Sequence, residues 1–249
     1  MKTVVIDIET IADTAAMERA GYVPEPGEFA PWPLHAIVCA SVLVVSRVGV
    51  GGLEFDLRSF SRANAGERGI VAGVEQALDG ARAVISYNGR SFDVPVLMAR
   101  AIIADEPAAN IGKLRNPALP AHHIDLLEEI KGRGPAIQLA HLCAAFNIPV
   151  KTGGDGAGVA ALAAAGAWEE IEHYCEQDVV ATWLLAQHWL CRDEPGFARE
   201  QWIKLARWLL GARLSNPRLA LFCDPQGLEG RPNRRNVGLE RIFDPDIVF

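Results

Sequence analysis

Five side chains combine charge and spacing in a way that suits metal and phosphate chemistry. Asp7 and Glu9 sit two apart at the end of an apolar run, Val4-Val5-Ile6. Residues two apart on a strand share a face, so the two carboxylates stand side by side while Ile8 points the other way. Their repulsion is roughly 4 kcal/mol at a separation of about 4 Å and an effective dielectric of about 20. A cation relieves it, and oxygen ligands suit Mg²⁺ or Mn²⁺. A lone Asp-x-Glu also fits a solvated strand end. Asp93 follows the Asn88-Gly89 turn and Phe92 at the mouth of a helix that starts at Val94. There it can cap the helix, face a metal, or do both. Tyr174 and Asp178 are four apart and therefore share one helix face. That face also carries Ile171, Cys175, Leu185 and Trp189, whereas Glu169, Glu170, Glu172, Glu176 and Gln177 can take the wet side. An ionised Asp on a buried stripe needs a metal or a cationic partner, such as an arginine from elsewhere in the chain.

Together these acids come from the end of a first strand, a strand-to-helix junction and a late helix, three places that can meet at one edge of a sheet. Four carboxylates at one point make a poor structural device. They make a good cage for two divalent cations roughly 4 Å apart, which could clamp the attacking and leaving oxygens of a phosphoryl displacement.

The elements that must position these residues follow from periodicity. Strands are expected at Val4–Ile6, Ile37–Ser46, Leu53–Phe60, Arg82–Tyr87 and His122–Leu127, from β-branched runs and alternation. Helices are expected at Ala63–Leu78, Val94–Ala104, Ile137–Phe146, Val159–Ala165, Trp168–Leu190 and Phe197–Leu210. Pro95 is tolerated in a first helical turn, and Glu169 and Glu170 favour the start of the longest helix. Three early strands with short links suggest a meander, and the later β-α-β alternation suggests parallel strands with right-handed crossovers. The result is an α/β domain with a mixed sheet flanked by helices. Leu214 to Phe249 has weak periodicity and reads as an irregular tail, packed on the domain or mobile.

The 249 residues suit one large domain, or one with an appendage. Half are hydrophobic and 22% charged, which excludes a mainly disordered chain. No apolar run approaches the roughly 20 residues of a membrane span, and the start, MKTVVIDI, reads as a strand rather than a signal peptide. Five cysteines without a CxxC pair indicate neither a disulfide framework nor a zinc site. A reducing cytoplasm is the expected location. The formal charge of -7 argues against coating nucleic acid by bulk attraction. Two bound divalent cations would add four positive charges at the site, so the field that matters is local and metal-made.

The segments Val5-Ile6-Asp7-Ile8-Glu9-Thr10, Tyr87-Asn88-Gly89-Arg90-Ser91-Phe92-Asp93 and Tyr174-Cys175-Glu176-Gln177-Asp178-Val179 resemble the three exonuclease motifs of the DEDD superfamily of 3′–5′ exonucleases. Tyr174, four before the last Asp, places the likeness in the DEDDy branch, near predicted exonucleases related to the proofreading domain of family B DNA polymerases. His123-Ile124-Asp125-Leu126 and Lys151-Thr152-Gly153-Gly154-Asp155-Gly156 are also similar to that group. The resemblance covers roughly Met1 to Leu210, so an exonuclease domain is expected over 1–210 and a tail of unknown role over 211–249. It implies a ribonuclease H-like fold with a central mixed five-stranded sheet. It implies that Asp7, Glu9 and Asp178 bind a first metal, that Asp7 bridges to a second held partly through water by Asp93, and that Tyr174 orients the attacking water. Asn88 and Phe92 would line the groove for the terminal nucleotides, with Thr10 beside them. The expected partner is a single-stranded DNA or RNA 3′ end and the expected product a nucleoside 5′-monophosphate, as in replication or repair. A chain of this length leaves no room for a polymerase domain.

Other features are less committed. Lys151 lies in a glycine-rich loop without P-loop order and could touch a phosphate or be an ordinary exposed lysine. Phe92 could stack on a base or sit in the core. Trp32 and His35 belong to a Pro-rich loop that could form one wall of the groove. Asp125 could support the site or be structural, and His173 would face away from it. Arg199, Lys204, Arg207, Arg213 and Arg218, with Arg231, Arg234 and Arg235, read as solvated surface or as an arm along a nucleic-acid backbone. The rivals are an RNA-directed exonuclease, a non-catalytic nucleic-acid-binding or polymerase-accessory module, and a structural domain whose acids form ion pairs.

Overall fold

The computed structural model describes residues 1–25, 28–116, 122–149, 156–212 and 216–224. Alternation along the first strand, β1 (Lys2–Ala12), sets the whole architecture. Val4, Ile6 and Ile8 point to one face of the sheet, and Val5, Asp7 and Glu9 to the other. Beside β1 run β2 (His35–Val48) and β3 (Gly52–Ser61), joined as an antiparallel meander. On the other side lie β4 (Ala83–Ser86) and β5 (His123–Asp125), both parallel to it. The sheet order is β3-β2-β1-β4-β5, the expected mixed five-stranded sheet of a ribonuclease H-like fold.

Helices cover both faces. Val4, Ile6, Ile8, Val42 and Val44 pack against α2 (Gly66–Leu78) and α3 (Asp93–Ala104). Val5, Leu43, Phe55 and Ile85 pack against α8 (Trp168–Leu190) and α9 (Phe197–Gly211). The far end of that second face is closed by α7 (Gly156–Ala164), where Val159 meets Val38, Cys39, Ile171 and Cys175.

Short polar signals place the remaining helices. Asp13 caps α1 (Thr14–Ala20), its carboxylate accepting from the Ala16 N–H at 3.0 Å, and Gly21 ends it in the left-handed region. The small α4 (Ala109–Lys113) is anchored by Glu75, which accepts from the backbone N–H groups of Asn110 and Ile111. The strand expected over His122–Leu127 stops at Asp125, because that carboxylate caps α5 (Leu126–Lys131). The helix expected from Ala63 starts only at Gly66: Asn64 Oδ1 accepts from the Ser61 N–H at 2.8 Å and holds a turn. A further helix, α6 (Leu139–Ala145), precedes α7. After α9 a 3₁₀ segment, Pro217–Cys223, packs back on the domain; Leu219 and Phe222 are buried, and the Trp202 indole donates to the Phe222 carbonyl at 2.9 Å. No helix among the described residues is long and apolar enough to cross a membrane.

Candidate metal centre

Asp7 and Glu9 leave β1 on the face covered by α8, and Asp178 reaches them from that helix. Ligand oxygens of the three carboxylates all lie within 4.8 Å of one another. A bulge in the β1–β2 ladder falls here: Glu9 pairs with Cys39 but Thr10 with Ile37, so Val38 has no partner across the strand. Bulges raise local twist and re-aim side chains.

Asp93 comes from the opposite side of the sheet, in the first turn of α3, and is buried. Its Oδ1 has no hydrogen-bond partner among the described residues. The position capping α3 belongs to Phe92, so the carboxylate is not a helix cap. Burial pushes Asp93 up to about 7, with Asp125 adding repulsion, while the backbone N–H groups of Asp93 and Ile8 oppose the shift. Asp7 is pushed well above the usual carboxylate range, first by desolvation, then by Asp93, Asp178 and Glu9. Four acids thus act on one another at one end of the sheet, as the sequence spacing suggests. A divalent cation would reverse both shifts by favouring the ionised forms.

The turn before Asp93 is built by Asp125. Its Oδ1 accepts from the Asn88 N–H at 2.9 Å and its Oδ2 from the Arg90 N–H at 2.8 Å. Asn88 sits at φ 65°, in the left-handed region. Gly89 passes so close to Ser86 that a Cβ would lie 2.3 Å from its Oγ. Asp125 is therefore a brace for the turn.

Tyr174 lies one helical turn before Asp178 on the same side of α8. Both are half-buried, at the margin of the apolar stripe, whereas Gln177, expected on the wet side, is 2% exposed. Gln177 is enclosed because α8 is covered by the sheet, α7 and α9 on several sides. The Cys175 thiol lies 3.5 Å from Asp7 Oδ2. Desolvation, then its neighbours Cys39 and Asp7, push that thiol far up. His173 is buried, with its Nε2 3.7 Å from Glu169 Oε1 one turn earlier on the same helix.

Thr10 has the opposite parity to Glu9. Its hydroxyl donates to His35 Nδ1 at 2.9 Å, since the ring's Nε2–H is engaged by the Ala30 carbonyl at 3.0 Å. His35 stacks edge-on against Phe92, with centroids 5.2 Å apart, and the exposed Phe29 lies over both. Phe92 thus packs partly on the core and partly in an aromatic cluster with the Pro-rich loop. Trp32 is only partly covered. Phe29 carried no signal in the sequence beyond being an aromatic residue in a loop. Arg218 stands with its guanidinium carbon 4.2 Å from the Tyr174 ring centroid, a contact that reading it as one of several basic residues did not foresee. Asn216-Pro217 before it is a turn signal that could have flagged an ordered segment. Lys151 lies outside the described residues, as do Arg213, Arg231, Arg234 and Arg235.

In sequence, a family described as predicted 3′–5′ exonuclease related to the exonuclease domain of PolB matches residues 27–204, a span that begins after Asp7 and Glu9. No curated protein matches the chain. In structure, the chain is similar to the family B DNA polymerase of the hyperthermophilic archaeon Pyrobaculum calidifontis, with TM-score 0.53 and 18% identity over 89% of this chain and 28% of the polymerase. It is also similar to Exonuclease I, with TM-score 0.47 and 12% identity over 84% of this chain and 46% of that one. For E. coli Exonuclease I in complex with a dT13 oligonucleotide the TM-score is 0.44, with 12% identity over 83% and 43% of the two chains. The chain therefore spans less than half the length of these structures.

Proposed function

We propose a function from one premise: the chain belongs to the family of predicted 3′–5′ exonucleases related to the exonuclease domain of PolB. The membership supports 3′–5′ exonuclease activity in general; the substrate, the residue roles and the ions are our reading. The chain removes nucleoside 5′-monophosphates from the 3′ end of single-stranded DNA, with residues 1–210 as the working domain and a cytoplasmic setting. The observation that carries this is the convergence of Asp7, Glu9 and Asp178, from a strand and a helix far apart in sequence, within 4.8 Å.

The donor set fits divalent cations. It is all oxygen, and the buried Oδ1 of Asp93, without a hydrogen-bond partner among the described residues, is placed as a ligand atom would be. Asp7, Glu9 and Asp178 would hold one Mg²⁺ or Mn²⁺, and Asp7 with Asp93 a second. When bound, such ions lower the pKa of water and stabilise the attacking and leaving oxygens of the phosphodiester. Tyr174 orients the attacking water through its hydroxyl. Asn88 and Phe92, with Thr10 and His35 behind them, line the place of the terminal nucleotides. A terminal base must be unpaired to enter such a groove, hence the preference for single strands.

The test uses DNA and RNA oligonucleotides labelled at either end, with Mg²⁺ or Mn²⁺. Stepwise shortening from the 3′ end with release of 5′-monophosphates is expected, and its loss in Asp7→Ala. Undiminished cleavage in that variant, or in excess chelator, overturns the scheme. Faster cleavage of RNA than of DNA reassigns the substrate.

A further inference from the structure

We propose that Arg218, on the segment after the last long helix, is a positioning residue for Tyr174. The inference rests on the reading of Tyr174 as the residue that orients water. It also ties the stretch beyond 204, outside the family match, to the chemistry.

The guanidinium lies over the ring, 4.2 Å from its centroid, and Arg218 Nη2 donates to Glu170 Oε2 at 2.7 Å. Glu170 and Tyr174 are four apart on α8, so Arg218 bridges successive turns of the helix whose next turn carries Asp178. Partial burial works against its charge, but Glu170 and the Tyr174 hydroxyl more than offset it.

Arg218 is also held from behind. Asn216 Nδ2 donates to the His173 carbonyl at 3.0 Å and to Glu176 Oε2 at 2.9 Å. Its Oδ1 accepts from the Arg218 N–H at 2.9 Å, and Asn216 is 4% exposed. Glu176 Oε1 in turn accepts from Ser59 Oγ on β3, at 2.8 Å. Beyond Arg218, buried Leu219 and Phe222 lock the chain. The backbone on both sides is therefore ordered before the guanidinium makes its contact, and little entropy is lost in keeping it there. A planar cation over an aromatic face restricts ring tilt. A tyrosine has two side-chain torsions, and a hydroxyl that must meet one water gains from fixing both.

The test compares the full chain with Arg218→Ala, Arg218→Lys, Tyr174→Phe and the double variant Arg218→Ala/Tyr174→Phe on a labelled single-stranded DNA. Arg218→Ala is expected to lower kcat about tenfold with KM within about twofold. Arg218→Lys should recover only part, because an ammonium has no flat face. In the double variant kcat should match Tyr174→Phe alone, since no hydroxyl remains to be positioned. Glu170→Gln, at a half-exposed side chain, loosens the arginine and should lower kcat in the same direction by less.

A raised KM with unchanged kcat overturns the proposal and makes Arg218 a nucleic-acid contact. So do multiplicative losses in the double variant. Tyrosine-labelled NMR gives a readout that needs no turnover: the Tyr174 ring signal, identified by its loss in Tyr174→Phe, should shift in Arg218→Ala. An unmoved signal overturns the positioning. A shifted signal in a protein that degrades neither DNA nor RNA supports the contact and overturns the exonuclease reading instead.

Discussion

Replacing Asp125 by alanine should unfasten the turn that delivers Asp93. The carboxylate accepts from Asn88 N–H at 2.9 Å, Arg90 N–H at 2.8 Å and Leu127 N–H at 3.1 Å, and it is 1% exposed. Hydrogen bonds to a charged group contribute about 1.5–3 kcal/mol each. Two of them hold the turn, and the third is a helix cap worth about 1 kcal/mol. Taking the low end for the turn, because water can enter the vacated space, the loss is about 4 kcal/mol. For a chain of this size that lowers Tm by about 10 °C. Asp125→Asn keeps one acceptor but turns an amide N–H₂ toward a backbone donor, so it should lose roughly half as much. Urea unfolding followed by circular dichroism measures both. Activity should fall further than stability requires at a temperature where the variant is still folded, because Asn88 and Asp93 are set by the same turn. A loss below about 1 kcal/mol in Asp125→Ala would refute the assignment of Asp125 as the brace.

Three further outcomes can be measured on the same preparations. Gly89→Ala places a methyl 2.3 Å from Ser86 Oγ and 2.6 Å from its Cβ, so overpacking should cost about 1–3 kcal/mol in urea melts. Arg100 holds Asp13 at 2.8 Å and Glu67 at 2.5 Å in a largely buried triad, and Arg100→Ala should cost about 3 kcal/mol, because Asp13 keeps only its helix-cap hydrogen bond and Glu67 only Arg62 at 3.9 Å and the Ile37 N–H. His123 is kept neutral by burial, which lowers its pKa to about 4; Nδ1–H donates to the Leu114 carbonyl and Nε2 accepts from Ser86. Because the unfolded chain takes up the proton first, His123 makes stability fall as pH drops from about 6.5 to about 4, by about 3 kcal/mol in all. Against wild type, His123→Gln should show a shallower decline over that window, and equal slopes would refute the assignment.

Much of the fold is legible because it depends on short periods. The limits of α8, Trp168–Leu190, follow from helical spacing over 23 residues, and β2 and β3 from β-branched and alternating runs. Elements a few residues long escaped: α1, α4 and α5 are placed by Asp13, Glu75 and Asp125 rather than by an apolar face. Asp13 and Asp125 stand in the sequence as possible caps, but nothing local says whether a cap is used, and Glu75 lies 35 residues before Asn110.

The chemistry divides in the same way. The sequence by itself determined the identities and spacings of Asp7, Glu9, Asp93, Tyr174 and Asp178, and strand and helix periods determined which of them share a face. Those are properties of a chain read over ten residues. Tertiary structure alone decided that β1 and α8 bring three carboxylates within 4.8 Å, that Asp93 keeps a buried oxygen without a partner among the described residues, and that Phe29 covers His35 and Phe92. It also decided that Arg218, 44 residues beyond Tyr174, returns to lie on its ring. Such contacts depend on how whole faces pack across the sheet, and no local propensity encodes where two distant segments will meet.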